Sequence, residues 1–193
     1  MDNEARINLL ARVARSISAG DGRGDQAQPV SILSLAAASY GARPSGDATV
    51  PTGFDPVAVA LFEAIVEGAY VVANADGVFD DEERRVFEGV VTTACRGTVD
   101  SRQIAALVSD LGDQLAEDGM DRRIEMIAGS ITKREHAQEV LRIAALLAQA
   151  SDDVSPAERD VLGKLARCCG LESGEVDAAF AAVKSALAAA AGR

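Results

Sequence analysis

The side chains best placed to do chemistry fall in two acidic stretches. The first holds Asp76, Asp80 and Glu83, within Ala75-Asp-Gly-Val-Phe-Asp-Asp-Glu-Glu83. The second holds Asp152, Asp153 and Glu158, within Ser151-Asp-Asp-Val-Ser-Pro-Ala-Glu158. Carboxylates gathered on a turn suit hard divalent cations such as Ca²⁺ or Mg²⁺, which take oxygen ligands. One reading therefore makes the two turns a single divalent-metal site. The spacing supports a second reading. Neither stretch has the alternating ligand order of an EF-hand loop. Asp76 beside Gly77 is turn chemistry, Asp80 and Ser155 stand where a helix cap stands, and Glu83 and Glu158 follow three residues later. That is the capping-box pattern, in which cap and acid satisfy each other's backbone N–H groups. Acids at a helix start also match the helix dipole.

Other chemistries find less support. His136 is the single histidine; it follows Glu135, and no thiol or hydroxyl is set by spacing to serve as its nucleophile. The glycines at 20, 22 and 24 lack the Lys-Ser/Thr that completes a phosphate-binding loop. Cys95, Cys168 and Cys169 show no metal-ligand spacing, and an adjacent pair forms only a strained bridge. The expectation is a protein that is not an enzyme, with reduced thiols in a cytoplasmic setting. Asp2, Glu4 and Arg6 at the start do not make a secretion signal, and no apolar run is expected to reach the roughly 18 residues of a membrane span.

Charge narrows the partners. Thirty acidic side chains face nineteen basic ones, a net charge of −11. Such a surface repels nucleic-acid phosphates, so no nucleic acid is expected. It suits solubility, cations or basic protein patches. Arg-Arg pairs at 84–85 and 122–123 are expected on solvated helix faces or in salt bridges.

The elements that carry these residues are helices throughout. Hydrophobic residues make up 48% of the chain, much of it Ala, and aromatics only 4%. That balance favours close-packed helices over strands. Ile7, Leu10, Val13, Ala14 and Ile17 form one face of a helix over 3–19, and a short helix follows from about 30 to 40. The N-terminal face could pack on its own core, or dock on a partner or a membrane surface. Residues 41–55 have linker composition. The expected organisation is an N-terminal helical appendage over 1–40, a linker over 41–55 and a helical domain over 56–193.

Within that domain, helices are expected over 56–75, 80–95, 100–117, 121–130, 132–150, 155–170 and 173–190. Asp55-Pro56 and Ser155-Pro156 begin two of them as cap and first residue. Thr132 with Glu135 predicts a capping box for a third. The fold class is therefore all-α, a compact bundle of six to seven helices plus the appendage.

The two acidic stretches are one pattern written twice. Shifting the chain by 75 residues lays Asp76 over Ser151 without a gap. Ala73, Ala75, Glu83, Arg84 and Val86 then match Ala148, Ala150, Glu158, Arg159 and Val161. Phe79 matches Val154, Asp80 matches Ser155, and Phe87 matches Leu162. Each copy reads as helix, turn, buried apolar residue, cap, helix. The bundle thus contains a duplicated helical hairpin.

Ala-Asp-Gly-x-apolar-Asp/Ser-x-x-Glu-Arg, present at Ala75–Arg84 and again at Ala150–Arg159 and followed by Cys169-Gly170-Leu171, resembles the TerB family. These are the tellurite-resistance TerB proteins and their TerB-like relatives. The resemblance covers residues 56–190. The second copy departs from the pattern, with Ser151-Asp152 where Asp-Gly stands in the first. The resemblance implies a helical module of stress and tellurite-resistance systems that acts with protein partners near the membrane. Peripheral membrane association would then come through those partners or the N-terminal helix.

Overall fold

A computed structural model describes residues 2–17, 31–42, 55–149 and 154–192. Nine helices account for their regular structure. Two precede the expected domain: α1 (Asn3–Ile17) and α2 (Ile32–Gly41). Seven follow: α3 (Pro56–Ala73), α4 (Asp81–Ala94), α5 (Ser101–Asp118), α6 (Met120–Ser130), α7 (Arg134–Ala148), α8 (Pro156–Cys168) and α9 (Glu175–Ala191). The all-α class matches the expectation, and the nine helices among the described residues slightly exceed the expected count.

The starts of these helices show which local signals act. Asp55 caps α3 by accepting from the N–H groups of Val57 and Ala58, with Pro56 at the first position. Asp100 caps α5, and Gln103 completes its capping box. Thr132 does not cap α7, contrary to its spacing from Glu135. Lys133 is extended there, and α7 begins at Arg134 without a side-chain cap. Gly119 separates α5 from α6 with φ of 79°, a left-handed conformation that glycine adopts without a Cβ clash.

The first helices of the two hairpins, α3 and α7, lie against each other at the centre. The two helices come close at Gly68. A Cβ at this position would stand 2.5 Å from Val140 Cγ1. Phe62 and Ile65 of α3, Leu141 and Leu146 of α7, and Leu162 and Leu165 of α8 are all fully buried in one shared core. Burying such a side chain contributes roughly 1.5–3 kcal/mol. At 18 residues and a mean hydropathy of 1.7, α3 is long and apolar enough to cross a membrane by length and composition. This differs from the expectation of no such run, because the apolar residues around Glu63 and Glu67 outweigh those two charges. Here α3 is a core helix, largely buried by its neighbours.

The apolar face of α1 is covered by the same core. Leu10, Val13 and Ala14 are buried, and α1 packs on α4, α7 and α9. A Cβ on Gly89 of α4 would meet Ile7 Cδ1 at 2.8 Å, so these two helices also approach through a glycine. Arg15 donates to the Thr93 carbonyl near the end of α4, and Arg12 to the Ala190 carbonyl in α9. In turn, α2 packs on α3, with Tyr40 stacked at a tilt 4.7 Å from Phe62.

Arg122 and Arg123 part ways. Arg122 pairs with Glu125 on the exposed face of α6. Arg123 is buried, donates to Glu67 of α3 at 2.6 Å and to Asp118 at the end of α5 at 2.9 Å. Three helices are tied at one guanidinium, which suits the planar fork of arginine.

Candidate functional site

The first hairpin turn explains its own acids. Asp76 accepts a bond from the Val78 N–H at 3.0 Å, which closes an Asx turn on the exposed side. Gly77 takes φ of 81° within it. Phe79 then turns inward, edge-on to Tyr70 at 5.2 Å and to Phe87 at 5.9 Å. It pins the chain just before the cap. Asp80 Oδ1 accepts from the N–H groups of Glu82 and Glu83, each at 2.9 Å, and Glu83 Oε2 accepts from the Asp80 N–H at 3.0 Å.

The second hairpin repeats the device with a smaller cap. Ser155 Oγ accepts from the Glu158 N–H at 3.1 Å, and Glu158 Oε2 accepts from the Ser155 N–H at 2.7 Å. Glu158 is buried. Asp152 and Asp153 lie outside the described residues, with Ala150 and Ser151.

The two capping boxes meet in space. A cleft of about 220 Å³ is lined by Ala73, Phe79, Asp80, Glu82, Glu83, Val86 and Phe87 of the first hairpin and by Leu147 and Glu158 of the second, with Arg6 from α1. Asp80, Glu83 and Glu158, three of the residues singled out from sequence, are therefore brought together. Asp76 stays on the exposed turn. Arg6, Glu82 and the apolar lining carried no local sequence signal for a shared site. Their contact depends on how α1, α4, α7 and α8 pack. Asn3 also donates to Glu82 at 3.3 Å, so the first turn of α1 rests on the first turn of α4.

Ca²⁺ takes about six to eight oxygens and Mg²⁺ about six. Capping already engages Asp80 Oδ1, Glu83 Oε2 and Glu158 Oε2. Among the described residues, no three His, Cys, Asp or Glu side chains stand together so as to hold a metal ion.

The remaining titratable groups are shaped by burial. Cys95 is buried and its thiol is pushed up to about 12; burial, with Cys168 beside it, pushes Cys169 up to about 11. His136 is lowered, first by partial burial and then by Lys133. Arg84 and Arg159 are matched in the repeat but act differently. Arg84 pairs with Glu88 within α4, whereas Arg159 reaches Asp177 of α9 at 2.8 Å and lies 4.7 Å above the Phe180 ring.

Neither a curated protein nor a solved structure matches the chain. A family model does, over residues 62–181, and its description is tellurite resistance protein TerB. That stretch contains both capping boxes and all of α4 to α8. With the duplicated hairpin and the family match in agreement, the chain belongs to the TerB family.

Proposed function

We propose that this TerB-family chain is a non-enzymatic interaction or scaffold module. It would serve a bacterial stress or tellurite-resistance-type system in the cytoplasm, with protein partners and, through them or α1, a peripheral place at the membrane. The observation that carries the reading is the cleft shared by the two capping boxes. Cap bonds hold the carboxylates of Asp80, Glu83 and Glu158, Glu82 and Arg6 add further charge, and Ala73, Phe79, Val86, Phe87 and Leu147 make the apolar lining. Charged groups beside apolar and aromatic side chains in one cleft suit a protein surface, where apolar contact gives affinity and charge gives specificity. At about 220 Å³ the cleft is also small beside the roughly 300–1,000 Å³ of pockets that enclose whole small molecules.

The test is site-specific photo-cross-linking in the native host. A cross-linker replacing Glu82 should trap a discrete protein, and one replacing Arg102 at the start of α5 should not. Deletion of the chain should sensitise cells to tellurite or a related stress. Equal trapping from both positions, or a deletion strain indistinguishable from its parent, would overturn the reading.

One observation favours a second reading. Acids from both hairpins face the same cleft, as a divalent-cation sensor using Asp76, Asp80, Glu83, Asp152, Asp153 and Glu158 would require for at least part of its shell. Titration of the protein with Ca²⁺ and Mg²⁺ decides it. Neither heat nor a rise in melting temperature would end this alternative.

A further inference from the structure

The cleft has a specific chemistry that the interaction reading leaves unnamed. Asp80, Glu82, Glu83 and Glu158 supply negative charge, and Phe79 and Phe87 lie among the apolar residues. Acids beside aromatic rings suit a guanidinium. Arginine pairs with carboxylates through a planar fork, is more weakly hydrated than lysine, and interacts favourably with aromatic rings. The chain already contributes one basic residue to this lining, Arg6. Arg6 lies outside residues 62–181, so this cation comes from beyond the stretch that matches the family. The remaining volume is of side-chain scale.

We propose that the cleft receives an arginine side chain from a basic segment of a partner protein, and that Arg6 is the resident cation with which it competes. The inference rests on the interaction-module reading and names the chemistry of the partner. Cap bonds engage one oxygen each of Asp80, Glu83 and Glu158, so these carboxylates are fixed in the cleft lining before a partner arrives. The Glu82 carboxylate takes no part in the capping box. Its Oε1 accepts from Asn3, so its charge answers to α1. Displacing Arg6 would therefore be felt at the start of α1 as well as in the cleft.

The test uses the full ¹⁵N-labelled chain titrated with a tetra-arginine peptide, followed by amide shifts. Shifts should concentrate at Phe79, Glu82, Glu83, Val86 and Arg6, and saturate. Arg6→Ala should tighten binding roughly two- to fivefold, the range of an exposed charge pair, and Glu82→Gln should weaken it by a similar factor. Glu117→Gln, an exposed acid on α5, should change nothing. Tetra-lysine should bind more weakly. Shifts spread evenly over the acidic surface, an unchanged affinity in both Arg6→Ala and Glu82→Gln, or equal binding of tetra-lysine would each overturn the proposal. A partner trapped in cells from position 82 by a chain that fails these titrations would leave the module reading standing and this inference refuted.

Discussion

The Glu67 carboxylate of α3 accepts from Arg123 Nε of α6 at 2.6 Å, and both side chains are buried. Burial lifts the Glu67 carboxyl above its ordinary range, and the pull of Arg123 offsets this only in part. Burial also weakens the Arg123 charge, but bonds to Asp118 and Glu67 more than restore it. Arg123→Ala leaves a buried acid without its main partner. It should cost ~3–5 kcal/mol in urea unfolding, while Glu67→Leu with Arg123→Met should cost much less. A double variant no more stable than Arg123→Ala would show that the guanidinium mainly fills space.

The same pair sets a pH dependence. A raised folded-state pKa means that the folded chain binds the Glu67 proton more tightly than the unfolded chain. This contribution is fully present below the ordinary carboxylate pKa and is lost as pH rises through the folded value. Wild type should therefore lose stability relative to Glu67→Gln as pH climbs from about 4 to the raised pKa. Parallel stability curves for the two proteins would mean that Glu67 titrates alike in the folded and unfolded chains.

Asp80→Ala and Ser155→Ala each remove a side-chain cap, and each should cost ~1 kcal/mol. Asp76→Ala removes only a turn bond on an exposed loop and should cost less. Thermal melts of the three single variants give the ranking. Asp76→Ala as harmful as Asp80→Ala would mean that Asp76 does more than close its turn.

Gly68→Ala places a methyl against Val140 at the α3–α7 contact. Overpacking of this kind costs about 1–3 kcal/mol. Adding Val140→Ala should recover part of the loss, because it removes the atom that the new Cβ would strike. No recovery would point to a backbone shift elsewhere along the helix pair.

Thiol reactivity should follow burial. Cys168 is exposed and should react first with an aromatic disulfide reagent at neutral pH. Cys169, pushed up to about 11, should lag, and Cys95, pushed up to about 12, should react only on unfolding. Rapid modification of Cys95 in the folded protein would show that the end of α4 opens readily.

Local chemistry was the legible part of this fold. The caps at Asp55, Asp80 and Ser155 fall where dipeptides and four-residue signatures place them. Thr132 failed because a cap signature does not fix where the chain leaves the extended conformation. Long-range burial was not legible. Glu67, Arg123 and Glu139 are ionisable residues inside the core, yet nothing in their immediate neighbours sets them apart from surface charges. The site was legible in halves. Each hairpin announced its own acids, whereas Arg6 joined them only through the packing of α1 on α4.

That packing has a practical consequence for instrumented versions of the protein. Asn3 and Arg6 sit at the cleft, whereas Ala190 lies beside Arg12, further along α1. Six residues of helix separate Arg6 from Arg12, roughly 9 Å of rise. A fluorophore or surface anchor joined ahead of Asn3 would hang over the cleft and report on, or obstruct, whatever approaches it. The same group joined after Ala191 would leave from beside the middle of α1. The choice of attachment point therefore determines whether a binding experiment reads the cleft or blocks it.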